Sequence, residues 1–125
     1  MPADFSIDVK HRMVFSKATG VLTVGNVLDH MDRLIHHPDF LPAFNQIFDM
    51  REVTEIEMSN EDIKRLAGPN IFATESHRAL LVTPGLQFGL GRMFATYREL
   101  AGETGIRILT DEKEARSWVS LPEET

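Results

Sequence analysis

The sequence contains no cysteine, which excludes a disulfide framework, a thiolate nucleophile and any cysteine-ligated metal. No apolar run approaches the ~18 residues of a membrane-spanning helix. The opening Met1-Pro2-Ala3-Asp4-Phe5-Ser6-Ile7-Asp8 lacks a basic n-region and an apolar h-region, so no export signal is expected and a cytoplasmic location follows. Positive charge is in short supply. Thirteen Lys and Arg stand against nineteen Asp and Glu, a formal net charge of −6, which disfavours a phosphate-backbone footprint and therefore a nucleic-acid partner. Catalytic signatures are also missing: there is no G-x-S-x-G, no G-x-x-x-x-G-K-[ST] and no H-E-x-x-H. Gly85, Gly89 and Gly91 do not follow G-x-G-x-x-G, and Phe88 and Leu90 would crowd a phosphate placed there. His30, His36 and His37 sit on or just after one helix at spacings that cannot close on one metal; they read as solvated helix-end residues, and His11 and His77 are isolated. No metal, cofactor or enzymatic activity is expected.

What remains is an ordinary globular composition, 42% hydrophobic and 26% charged over 125 residues, which fits a single domain spanning 1–125. The apolar pattern changes period along it. Phe5, Ile7 and Val9 alternate with polar residues, and so do Met13 and Phe15 within Arg12–Ala18; the short break between them predicts an antiparallel hairpin closed by Gly20. Thr23 then caps a helix whose stripe is Val24, Val27, Leu28, Met31, Leu34 and Ile35, ended by Pro38. Residues 46–50 form a short strand. A helix from Ser59 turns Ile63, Leu66 and Ala67 inward, is interrupted at Gly68-Pro69, and resumes for a turn over 70–75. A buried strand at 79–82 precedes a helix with the stripe Leu86, Leu90, Met93, Phe94, Tyr97 and Leu100. A last strand, 106–109, leads to a helix opened by an Asp111/Glu114 capping box and stopped by Pro122. The order ββαβαβαβα predicts an α/β fold: a mixed sheet with an N-terminal antiparallel hairpin, a parallel part and about four helices.

This order, with the phrases Phe48-Asp49-Met50-Arg51-Glu52-Val53-Thr54, Met58-Ser59-Asn60-Glu61-Asp62, Phe88-Gly89-Leu90-Gly91-Arg92-Met93-Phe94 and Thr110-Asp111-Glu112-Lys113-Glu114-Ala115-Arg116-Ser117-Trp118, resembles the SpoIIAA-like branch of the STAS superfamily over nearly the whole chain. In anti-sigma-factor antagonists of that superfamily, a strand ending in Asp leads to an Asp-Ser-Ser-Gly turn whose serine is phosphorylated. The resemblance implies Asp49 at the strand end and Ser59 as phosphoacceptor, with Glu57 at the acidic position; Met58 and Asn60 stand where the pattern has serine and glycine. It implies a non-enzymatic regulatory module that binds a protein partner or itself, as a homodimer. The same branch resembles lipid-carrying CRAL-TRIO-type domains, which implies the alternative of a small apolar ligand or a lipid surface.

Three candidate sites follow. Ser59 is the phosphoacceptor candidate, with N-cap of the following helix and Asp62 at N3 as the plainer role, favoured by the surrounding acidic residues. Phe88 falls opposite the apolar stripe of its helix, beside Gly91, Arg92 and Ala95. An outward aromatic there, with Gly89 and Gly91 allowing close approach, makes Phe88, Gly89, Gly91 and Arg92 contact candidates for a partner or membrane. Phe44, Phe48, Phe72 and Phe94 are candidates for lining an apolar pocket, with core packing as the plainer role.

Overall fold

The computed structural model describes residues 3–68 and 71–120. Strand β1 (Ala3–Asp8) pairs antiparallel with β2 (Met13–Thr23), placing Phe5 opposite Ser16 and Ile7 opposite Val14. Gly20 does not close β2. It sits inside the strand at φ +67°, between register shifts at Lys17/Thr19 and Gly20/Val21, where a left-handed glycine supplies a bulge and lets pairing continue to Thr23. The expected capping at Thr23 is present: its side chain accepts from Asn26 N–H, and Asn26 accepts from Thr23 N–H at 3.0 Å, opening α1 (Val24–Ile35).

Strand β3 (Asn45–Glu57) runs parallel to β2 and well past Met50, so Asp49 lies inside the strand and not at its end. The polar stretch after Met50 conceals this extension in the sequence. Then come α2 (Asn60–Leu66), β4 (Arg78–Leu81), α3 (Leu86–Leu100), β5 (Ile106–Leu109) and α4 (Glu112–Val119), giving the expected ββαβαβαβα. Residues 71–75 do not resume a helix; a turn closed by Ser76 N–H on Ala73 O at 3.0 Å stands there. Asp111 caps α4 by accepting from Lys113 N–H at 3.4 Å rather than through Glu114. Pro69, Asn70 and Pro122 lie outside the described residues.

The five strands lie in the order β1-β2-β3-β4-β5, with every pair after the hairpin parallel. Successive side chains alternate between the sheet's faces. Met13, Ile47, Ala79 and Leu81 meet Ala115, Val119 and Trp118 of α4 on one face. Val14, Ala18, Phe48 and Leu80 point to the other, where α1 and α3 pack and α2 touches both.

Helix α3 is rotated relative to its apolar stripe, whose Leu90, Met93, Phe94 and Tyr97 are only half-buried. Gly91, Ala95 and Arg98 are buried and Leu100 is exposed; Phe88, expected outward, is half-buried against the main core cluster. A Cβ on Gly91 would come within 3.3 Å of the Ile108 side chain. Close approach of α3 to β5 at Gly91 therefore selects a residue without a side chain at that contact. Gly89 and Arg92 stay on the exposed side. The Phe88–Arg92 group is thus split between the inner and outer faces of the helix.

Candidate functional site: an apolar cavity over a buried polar chain

Between the sheet and α1, α2 and α3 lies a cavity of about 90 Å³. At roughly 10–15 Å³ of such space per water, it holds on the order of six waters or an alkyl chain of similar bulk. Of the pocket candidates, Phe48, Phe72 and Phe94 line it. Phe44 does not; it packs with Val14, Leu34 and Phe40. Met31, Met50 and Met58 contribute flexible, polarisable wall from α1, β3 and the segment before α2. Helix α2 adds Ile63 and Leu66, the residues its pattern turns inward.

The wall includes three polar side chains, His30, Gln46 and Arg78, none of them among the sequence candidates. They belong to one hydrogen-bonded chain. Arg78 Nη1 donates to both oxygens of Glu103, at 3.0 and 3.1 Å, and Arg78 Nε donates to Gln46 Oε1 at 3.1 Å. Gln46 Nε2 donates to Ser16 Oγ at 3.0 Å, and Ser16 Oγ lies 2.8 Å from His30 Nε2. Arg98 Nε donates to Glu103 Oε1 at 3.0 Å, and its Nη1 to the Ala67 carbonyl at the end of α2, at 2.7 Å. Cross-strand register places Gln46 directly beside Arg78. Arg98 and Glu103 are each 1% exposed. Burial pulls the Arg78 pKa down, Arg98 adds to that, and Glu103 opposes both. The Arg78 guanidinium also lies 4.5 Å above the Phe72 ring.

His30 is 1% exposed and sits between the rings of Phe5 and Phe48, at 5.4 and 5.2 Å. It is therefore no solvated helix-end histidine. Its place on the apolar stripe, three residues after Val27 and four before Leu34, was the available signal. Burial, with Arg33 adding to it, lowers its pKa from 6.5 to about 4. The folded state resists protonation that the unfolded chain accepts, so His30 stabilises fully above pH 6.5 and progressively less as pH falls toward 4. The expected loss is about 3 kcal/mol across that window. Urea unfolding at pH 7 and pH 4.5 measures it, and His30→Gln should flatten this part of the profile.

Ser59 is exposed and closes a reciprocal box on α2: its hydroxyl accepts from Asp62 N–H at 3.2 Å and its N–H donates to Asp62 Oδ2 at 3.0 Å. Ser59→Ala is expected to cost about 1 kcal/mol, read as a lower urea midpoint. Met58, just before Ser59, and Phe88 are each half-buried against the main core cluster.

On the α4 face a wider groove of about 440 Å³ runs past Phe15, Ile47 and Leu81. Its charged rim is internally paired. Arg51 bonds Asp49 at 2.9 Å and Glu112 at 2.7 Å, and Arg116 bonds Glu112 at 3.0 Å. Burial raises the Asp49 carboxyl, but Arg51 more than offsets this and holds it below its ordinary value. Among the described residues no His, Asp and Glu cluster could hold a metal ion, and no helix is long and apolar enough to cross a membrane.

A mixed five-stranded sheet with this order and these helices defines an α/β domain of the type described for the SpoIIAA-like fold. No family model and no curated protein sequence matches the chain. Among solved structures it is similar to an uncharacterised protein of the DUF3478 family from Shewanella loihica PV-4, described as having a SpoIIAA-like fold. The TM-score is 0.60 and the identity 15%, over 94% of this chain and 93% of that one. The chain has a SpoIIAA-like fold, as its sequence resemblance implied.

Proposed function

We propose that this protein is a non-enzymatic binding module that takes a small apolar ligand into the cavity between the sheet and α1–α3. The observation that carries the reading is the cavity itself, walled mostly by Phe, Met, Leu and Ile side chains from both layers of the fold. The SpoIIAA-like fold supports a regulatory role in the general sense, with occupancy of the cavity as the signal read by a protein partner. A phosphate on Ser59 would have to displace its capping box and stand beside Glu57, Glu61 and Asp62, so recognition is assigned to the cavity and Ser59 to helix capping.

The methionines provide the test. In protein labelled with [13C]methyl-methionine, titration with octan-1-ol is expected to shift Met31, Met50 and Met58, which line the cavity, and to leave Met13 and Met93 in place. Shifts of Met13 and Met93 as large as those of Met31, Met50 and Met58, or none at all, would remove the proposal.

A further inference from the structure

The buried polar chain beside the cavity is out of balance in two independent ways. The first is charge. Arg78 and Arg98 share one carboxylate, Glu103, and the three side chains are 11% exposed or less. His30 adds no charge at neutral pH, since burial holds it neutral. One positive charge is left without a carboxylate in the interior, partly offset by the Ala67 carbonyl that Arg98 meets. A buried charge is expensive unless it is paired.

The second imbalance is in donors and acceptors. Arg78 Nε can only donate, so Gln46 must present its oxygen to Arg78 and its amide nitrogen to Ser16. Ser16 Oγ therefore accepts from Gln46 and has one proton to give. Donating it to His30 Nε2 leaves a single orphan, the Nδ1–H of His30. The opposite tautomer leaves two, a bare Nδ1 and the serine proton. His30 Nδ1 is indeed buried without a partner, as is Arg98 Nη2. The orphan on the cavity wall, the Nδ1–H of His30, is a donor.

We infer that the ligand of this cavity is an anionic amphiphile, an alkyl chain ending in a carboxylate, whose head pairs with Arg78 while its tail lies among the Phe and Met side chains. The inference rests on the proposed cavity-binding function and names the class of ligand for it. A monoanion matches the single uncompensated charge, and a carboxylate supplies acceptors without adding a donor. Arg78 is suited to the head because its guanidinium lies 4.5 Å from the Phe72 ring centroid and is anchored at Nε and Nη1.

Calorimetric titration of the unsubstituted protein with octanoate, octan-1-ol and octylammonium, each below its micelle concentration, tests this. Octanoate is expected to bind at least about tenfold tighter than octan-1-ol, a difference of about 1.4 kcal/mol, and octylammonium not at all. In Arg78→Met the preference for octanoate should vanish while octan-1-ol still binds. A reading that needs no variant comes from [1-13C]octanoate, whose bound carboxyl should titrate at lower pH than the free acid. If octan-1-ol or octylammonium binds as tightly as octanoate, or the bound carboxyl titrates at or above the free value, the anionic head is refuted while the cavity function stands. If none of the three binds and the Met31, Met50 and Met58 methyls stay in place, both fall.

Discussion

Glu103→Gln is expected to destabilise the protein by about 3–5 kcal/mol, the usual cost of removing one member of a buried ion-pair group. Glu103 is 1% exposed and accepts from Arg78 at 3.0 and 3.1 Å and from Arg98 at 3.0 Å. Gln keeps the shape and one acceptor but leaves two buried guanidinium groups with no negative partner. Urea unfolding at pH 7 should show a much lower midpoint at an unchanged m-value. The double variant Arg98→Met/Glu103→Met should recover much of the loss, because it returns the interior to the single excess positive charge of the natural chain. A double variant as unstable as the single one would show that shape, and not charge, sets the cost.

The second large effect belongs to Gly105. A Cβ there would overlap the Ser76 carbonyl oxygen and lie 2.9 Å from the Ser76 carbonyl carbon. Neither neighbour is a side chain that can turn away. The same stretch of backbone is fixed by Arg78 N–H donating to Gly105 O at 2.8 Å and by Trp118 Nε1 donating to it at 2.9 Å. Gly105→Ala must therefore push β5 away from the entry to β4, and a loss of about 3 kcal/mol or more is expected. Because Glu103 lies two residues upstream, its bonds to Arg78 should loosen as well. Thermal unfolding of Gly105→Ala gives the stability, and the octanoate titration repeated on it gives the effect on the cavity.

The local signals in the chain were legible because they rest on short-range chemistry. Thr23 and Ser59 cap the helices that follow them because a hydroxyl two or three residues before a free N–H can reach it. Ile63 and Leu66 turn inward because a helix repeats every 3.6 residues. Phe48, Phe72 and Phe94 reach the cavity wall, as large apolar side chains gathered near one sheet face would. Phe44 is no different in kind, and only the path of the chain after α1 puts it into the neighbouring cluster instead. The rotation of α3 was not legible. Its large residues marked one face, whereas the inner face is centred on Gly91, Ala95 and Arg98, with Gly91 close against Ile108 of β5.

The sequence by itself determined the element order, the hairpin, the helix caps and the α/β class, since each depends on residues near one another along the chain. Only the tertiary structure decided which face of α3 is inner, that β3 runs on to Glu57, and that Ser16, His30, Gln46, Arg78, Arg98 and Glu103 form one connected chain beside an apolar cavity. Those six residues come from β2, α1, β3, β4, α3 and the loop before β5. No spacing along the sequence records their meeting, because the sheet register and the close seating of the helices bring them together.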